Sequence, residues 1–353
     1  MTPVTREELL RRVRAGEETR ALDATGLDLS GVDLSGVIFH EVKLDRACLA
    51  GAYMKEALLF SCSLEGADLT GANLHLSKAQ GSSMVGARMT GANLTAAQWI
   101  QMDMRGVDLS GANLLMAAFL ETDCSEMVLG GARTERFTLS ECQVARLDAS
   151  RVVLDRSMWL KLDLTSARFE GTAFDKVIFH ECGFAGQDLS GRRFANVQFI
   201  GCDLLGARFN GARLFQCNFM RARLDGTELD GVEAPSALFV EAQLANCSFT
   251  GAKLPNAIFN DARVTAGDFT GADLRQTIWH RTACAGTTYE RADLAEADMS
   301  HADLSLCNFT GANLYRTKLH CVKEDRTLFG PNRALALGTD EELARVENFQ
   351  PKY

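Results

Sequence analysis

Gly106-Val-Asp-Leu-Ser-Gly-Ala-Asn-Leu114 holds two five-residue words laid end to end, Val107 to Gly111 and Ala112 to Met116. Each word has a small residue, a polar residue and a large apolar residue in that order. The word returns as Ala-Asp-Leu-Thr-Gly at 67 to 71, Ala-Asn-Leu-Thr-Ala at 92 to 96, Ala-Asp-Leu-Arg-Gln at 272 to 276 and Ala-Asn-Leu-Tyr-Arg at 312 to 316. From Leu29 to Leu319 the large residue keeps to positions ending in 4 or 9 without a phase slip. Neither a helix of 3.6 residues per turn nor a strand alternating every two residues keeps step with five. A chain that turns a square corner every five residues does. The large residue and the small one two before it then point inward, and the residues around them point out. Most of the 30 glycines sit two after the large residue, the third position of a turn across the corner, where a type II turn requires positive φ.

These words resemble those of the pentapeptide repeat family, over about 29 to 320. The resemblance implies an all-β fold, a right-handed quadrilateral β-helix with four words per coil. A twenty-residue echo agrees: Val37-Ile-Phe-His-Glu41 returns as Val177-Ile-Phe-His-Glu181. About 15 coils at ~4.8 Å each make a rod about 70 Å long. The chain divides into residues 1–24, where Thr5-Arg-Glu-Glu8 is a capping box opening a helix over about 6 to 15; the β-helix at 25–320; and a turn and capping helix at 321–353, the helix opened by Thr339-Asp-Glu-Glu342.

Sorted by coil, the third face carries an inward aromatic column: Phe39, Trp99, Phe119, Trp159, Phe179, Phe199, Phe219, Phe239, Phe259 and Trp279. The pattern loosens between 122 and 163. Cys124, Thr134 and Ala149 take large slots there, while Met127, Phe137, Leu147 and Leu162 take small ones, so a bulge or bend is expected. Gln187 and Arg192, also in small inward slots, must turn outward or find partners.

The net charge of -9 argues against a nonspecific binder of nucleic acid or of anionic membrane. The first residues are Arg- and Glu-rich, and no apolar run is long enough to span a bilayer, so the cytoplasm is the expected location. The 11 cysteines follow repeat slots and form no C-x-x-C, which reads as reduced, buried thiols; Cys182 and Cys202 stack one coil apart. His40, His180 and His280 share a corner but stand too many coils apart to hold one metal. No phosphate loop, nucleophile elbow or zinc spacing is present, so neither enzymatic activity, a cofactor nor a metal is expected.

Two outward patterns bear on function. Asp28, Asp68 and Asp108 form an acidic ladder on the first face, the type of surface with which some members of the family mimic DNA on bacterial type II topoisomerases. Arg88, Arg168 and Arg208 on that face, and Arg133, Arg193 and Arg213 on the second, interrupt it. The third face instead shows Ile38, Leu58, Phe60, Ile100, Leu120, Met158, Leu160, Ile178, Ile200, Met220, Leu238, Val240, Ile258 and Ile278 outward. Such apolar area marks a binding surface. The expected function is a non-enzymatic scaffold or adaptor for protein partners, with a homodimer through this face or a terminal helix as one outcome. The opening Thr5-Arg-Glu-Glu-Leu-Leu-Arg-Arg-Val-Arg-Ala-Gly-Glu17 is similar to members associated with type VI secretion, which implies an accessory role there. A topoisomerase-protecting DNA mimic and a secreted, host-directed effector remain open as other readings.

Overall fold

The computed structural model describes residues 1–17 and 19–349. It divides into two compact units, Met1–Cys182 and Gly183–Tyr353. Both are parallel β-solenoids whose strand and bridge residues pair almost throughout with those twenty positions on.

In the first unit the third face is a parallel sheet. Ile38–His40, Leu58–Phe60, Lys78–Gln80, Gln98–Ile100, Ala118–Leu120, Thr138–Ser140, Met158–Leu160 and Ile178–His180 follow one another in register, as in Ile38↔Leu58 and Trp99↔Phe119. The other faces pair mostly through one bridge per word, such as Asp28↔Cys48 and Asp33↔Tyr53. The corner explains the difference. At Leu49 to Ala52 a type II turn closes, with Ala52 N–H donating to Leu49 C=O at 3.0 Å and Gly51 at φ +64°. At the third-face corners, Cys62 N–H goes instead to Ser82 Oγ at 2.9 Å and Met102 N–H to Thr122 Oγ1 at 3.3 Å. These corners stay open, and the strand runs a residue further.

Among the described residues, every non-glycine residue with positive φ falls in the slot where glycine is favoured, Glu41, Gln101, Glu121 and Lys161 among them. Each such residue costs roughly 1 kcal/mol or more against the left-handed region. Hydrogen bonding along the solenoid offsets that cost, since the same residue donates its N–H to the next coil, as Glu41 does to Phe60 C=O at 2.9 Å.

The bulge expected between 122 and 163 is absent. Asp123↔Gln143, Val128↔Asp148 and Arg133↔Val153 keep the twenty-residue register throughout. The swapped volumes compensate locally. Thr134 in a large slot neighbours Phe137 in a small one, Cys124 neighbours Met127, and Ala149 neighbours Leu147; all six are buried. Total volume is held, so the backbone need not move. What changes is the second face, where Val153–Asp155 and Ala173–Asp175 pair as strands.

In the second unit two aromatic columns fill the core. On the third face Phe199, Phe219, Phe239, Phe259 and Trp279 stack at 5.1, 5.1, 4.8 and 4.0 Å between centroids. A first-face column, which the sequence reading did not separate, stacks Phe249 on Phe269 at 4.6 Å, Phe269 on Tyr289 at 5.4 Å and Tyr289 on Phe309 at 4.8 Å. The columns meet edge to face, as Phe239 meets Phe249 at 5.9 Å and 89°. Both geometries suit the ring quadrupole. Gln187 and Arg192 are half-buried, and the backbone keeps its frame through both: Arg208 N–H bonds Gln187 C=O and Arg213 N–H bonds Arg192 C=O.

All eleven cysteines are free thiols. Those in the small inward slot, Cys182 and Cys307 among them, do what serine and threonine do there, donating to a turn carbonyl of the coil before. Cys182 Sγ reaches Trp159 C=O at 3.2 Å and Cys307 Sγ reaches Cys284 C=O at 3.0 Å, just as Thr227 Oγ1 reaches Leu204 C=O at 2.9 Å.

The ends are closed differently. Thr2–Pro3 pairs with Leu22–Asp23, and helix α1 (Arg6–Arg14), capped by Thr5 Oγ1 accepting from Glu8 N–H at 3.3 Å, buries Leu9 completely. At the other end the solenoid runs beyond residue 320. Asn308 pairs with Leu328, and Phe329 extends the first-face column under Phe309 at 5.1 Å, with the Arg333 guanidinium over its ring. A 3-10 turn at Pro331–Leu335 then brings Leu337 alongside Lys318 as one more bridge. Helix α2 spans Glu341–Glu347 and is capped by Asp340, not Thr339: the Asp340 carboxylate accepts from Glu342 and Leu343 N–H, both at 3.0 Å.

Candidate partner-binding face

The residues read as outward on the third face do lie there, but most are half-buried, because ladder neighbours about 5 Å apart shield one another. Ile38, at 40%, and Met158, at 38%, are the exposed ones among them. The stripe is also not continuous. In the first unit Ile38, Leu58 and Phe60 form one island, with the His40 ring stacked on Phe60 at 4.8 Å. Lys78, Gln80 and Gln98 follow, then Ile100 beside Leu120. After Thr138 and Ser140, Met158 and Leu160 pair with Ile178 and His180.

The second unit carries the more compact patch. Leu238, Ile258 and Ile278 are consecutive rungs of one ladder, and that row ends at Asp298, whose carboxylate holds Lys318 Nζ at 3.1 Å. Ile200, Met220 and Val240 form the row on the other side of the buried Phe199, Phe219 and Phe239. A strand presenting Leu-Phe-Val or Ile-Phe to its two faces explains this: the middle ring must be inside, and the flanking apolar residues are left out by the period of two.

The first face is chemically opposite. Its aspartates are committed to local structure. Asp28 Oδ1 accepts from Ser30 N–H at 3.0 Å and Asp108 Oδ1 from Ser110 N–H at 2.9 Å, closing Asx turns. The Thr70 hydroxyl, with its N–H and Arg88, holds the Asp68 carboxyl below its ordinary pKa against a modest cost of burial. The interrupting arginines pair with aspartates one coil earlier, Arg88 with Asp68 at 3.0 Å, Arg168 with Asp148 at 3.8 Å and Arg208 with Asp188 at 2.9 Å. On the second face Arg133 pairs with Glu135 at 3.2 Å and Arg213 with Glu233 at 3.4 Å. The acidic ladder is thus broken by ion pairs at Asp68, Asp148 and Asp188.

Two features lay outside the sequence reading. The C-terminal segment leaves Leu335, Leu337, Leu343, Val346 and Phe349 exposed, and His301, His320 and Glu347 converge at that end. The twenty-residue spacing places His301 and His320-Cys321 on adjacent coils, while Glu347 lies beyond the repeats and carries no such signal. Among the described residues, no helix is long and apolar enough to cross a membrane.

The family model described as "Pentapeptide repeats" matches eight times, at residues 22–56, 38–75, 57–95, 87–123, 178–216, 193–231, 237–277 and 290–320. No curated protein matches the sequence. Among solved structures the chain is similar to HetL, a pentapeptide repeat protein of Nostoc sp. strain PCC 7120, at 22% identity over 77% of this chain and 97% of that one, with a TM-score of 0.23. Rfr23 of Cyanothece 51142 is 22% identical over 38% of this chain and 95% of that one, also with a TM-score of 0.23. QnrB1, a plasmid-mediated fluoroquinolone resistance protein, is 16% identical over 76% and 95%, with a TM-score of 0.19.

Proposed function

Since this chain belongs to the pentapeptide repeat family, whose words send each side chain either into the core or into solvent, we propose that it is a non-enzymatic scaffold that binds protein partners through the apolar third face. The observation that carries this reading is the ladder Leu238, Ile258 and Ile278 flanked by Met220 and Val240, on a molecule whose first face is ion-paired and polar. In the first unit, Met158, Leu160 and Ile178 are a second contact point, with Ile38, Leu58 and Phe60 a third. An apolar partner surface gains area there at ~25 cal/mol per Å² buried, and the folded backbone loses nothing in presenting it.

The DNA-mimic reading is weaker on the same grounds. Its carboxylates would have to face a partner as an unbroken stripe, yet Asp68, Asp148 and Asp188 are held by arginines of the neighbouring coil. The opening stretch similar to type VI secretion members has a structural task of its own, since it forms α1 and seats Leu9 over the first coil. We place the scaffold in the cytoplasm.

The test is a double substitution, Leu238→Glu with Ile258→Glu, beside a first-face control, Asp188→Ala with Arg208→Ala. The third-face variant is expected to stay folded by circular dichroism and to lose its partner in affinity capture, or its dimer in size-exclusion chromatography. If capture and sizing match the wild type, the third face is not the docking surface.

A further inference from the structure

Helix α2 has only seven residues and buries none of them; Leu343 is 46% and Val346 72% exposed. A helix that short is marginal in water unless something outside it holds it. What holds it is polar. Cys321 N–H donates to Thr339 Oγ1 at 3.2 Å and Asp340 N–H to His320 Nδ1 at 3.1 Å, both at the start of the helix. At its last turn, Glu347 Oε2 lies 3.0 Å from His320 Nε2 and 3.4 Å from His301 Nε2. Cys321 Sγ lies 3.4 Å from His320 Nε2 as well. The two imidazoles come from adjacent coils, 5.2 Å apart between centroids, and His320 is buried.

We propose that His301, His320 and Glu347 form a zinc site that clips α2 onto the last coils. One ligand atom from each of the three lies within 4.8 Å of the others. Bonds of ~2.0–2.2 Å from zinc to nitrogen and oxygen in a tetrahedron set the ligand atoms about 3.3 Å apart. The 3.0 and 3.4 Å separations match that edge. Two imidazoles and a carboxylate select zinc over magnesium or calcium, which take oxygen ligands.

The proton balance ties the metal to the helix. Asp340 N–H points at His320 Nδ1, so the free site holds a lone pair on Nδ1 and the proton on Nε2. Binding moves that proton to Nδ1, opens the Asp340 contact and frees Nε2 for the metal. Two hydrogen bonds, from Asp340 N–H to Nδ1 and from Nε2–H to Glu347, are exchanged for bonds from zinc to His301, His320 and Glu347.

The experiment is a Zn2+ titration of the full chain, reduced with a phosphine, in competition with a chromophoric chelator, followed by hydrogen exchange on residues 341–347. One zinc per chain is expected, together with at least tenfold weaker binding in both His301→Ala and Glu347→Gln. Both substitutions alter partly exposed side chains that leave the core intact. Exchange in α2 should slow on adding zinc to the wild type and not to Glu347→Gln. No uptake, uptake that survives the two substitutions combined, or uptake that leaves exchange in α2 unchanged would overturn the site.

Discussion

Within the second unit the first and third faces share one inward rule and follow two outward ones. Both stack rings every coil, Phe249 on Phe269 on one side and Phe239 on Phe259 on the other, at nearly the same spacing. Outside, the first face carries Asp188 paired with Arg208, and Ser248 with its hydroxyl on Asp230. The third face carries Leu238, Ile258 and Ile278. Packing requires the inward residues and places no demand on the outward ones. An apolar outward ladder, half-buried by its own neighbours, is therefore not something the inward rule requires.

The comparison can be broken at several strengths. The largest effect belongs to the shared core. Phe239→Ala removes a ring stacked at 5.1 Å on Phe219 and 4.8 Å on Phe259, and is expected to cost about 4 kcal/mol by denaturant unfolding. Leu238→Glu with Ile258→Glu, one position away, should cost far less stability and weaken the partner at least tenfold, about 1.4 kcal/mol of binding measured by titration calorimetry. Gly251→Ala at a first-face corner comes next. A Cβ there meets nothing within 4 Å, so the penalty of about 1 kcal/mol is conformational, set by φ +64°, and Gly251→Asn should recover part of it.

Acid gives a smaller, directional effect at the end of the apolar row. Burial pushes the Asp298 carboxyl up, but the Ser300 hydroxyl and N–H, Lys318 and His280 outweigh it and hold its pKa at about 2. A depressed carboxyl stabilises the fold above its unfolded value of 3.8 and loses that contribution as pH falls toward 2. The stability gap between wild type and Asp298→Asn should therefore close between those values in an acid titration. Least of all, Arg208→Ala breaks a pair in which both side chains are about half exposed, and should change the melting free energy by under about 0.5 kcal/mol.

Much of the fold was legible because one constraint repeats. Once the large residue keeps to every fifth place, the corner, the left-handed residue after it and the inward pair all follow, and the structure carries them from Leu29 to Phe329. At two places the structure adds what the sequence did not show, for physical reasons. The irregular stretch at 122 to 163 kept its register because Thr134 with Phe137 and Cys124 with Met127 trade volume between neighbouring slots, which a slot-by-slot reading counts as two faults. The twenty-residue pairing runs on past 320 to Leu328, and Phe329, in a word without alanine or aspartate, shows its place only by stacking on Phe309. The candidate face was legible residue by residue, but its degree of burial was not. Exposure depends on the neighbour twenty positions away, and Lys78 and Gln98 cut the first-unit stripe into islands. The histidine cluster was hidden because His301 and His320 occupy neighbouring slots of the word and Glu347 lies outside the repeats.

The claim that partners dock on the third face is tested most directly by photo-crosslinking from one coil. A photoreactive residue replaces Ile258 in one variant and Ser248, the first-face counterpart, in another, and both are irradiated in native cells. Adducts of one protein, or of a second copy of this chain, at 258 with none at 248 are the predicted result. Adducts at 248 with none at 258 would contradict the account.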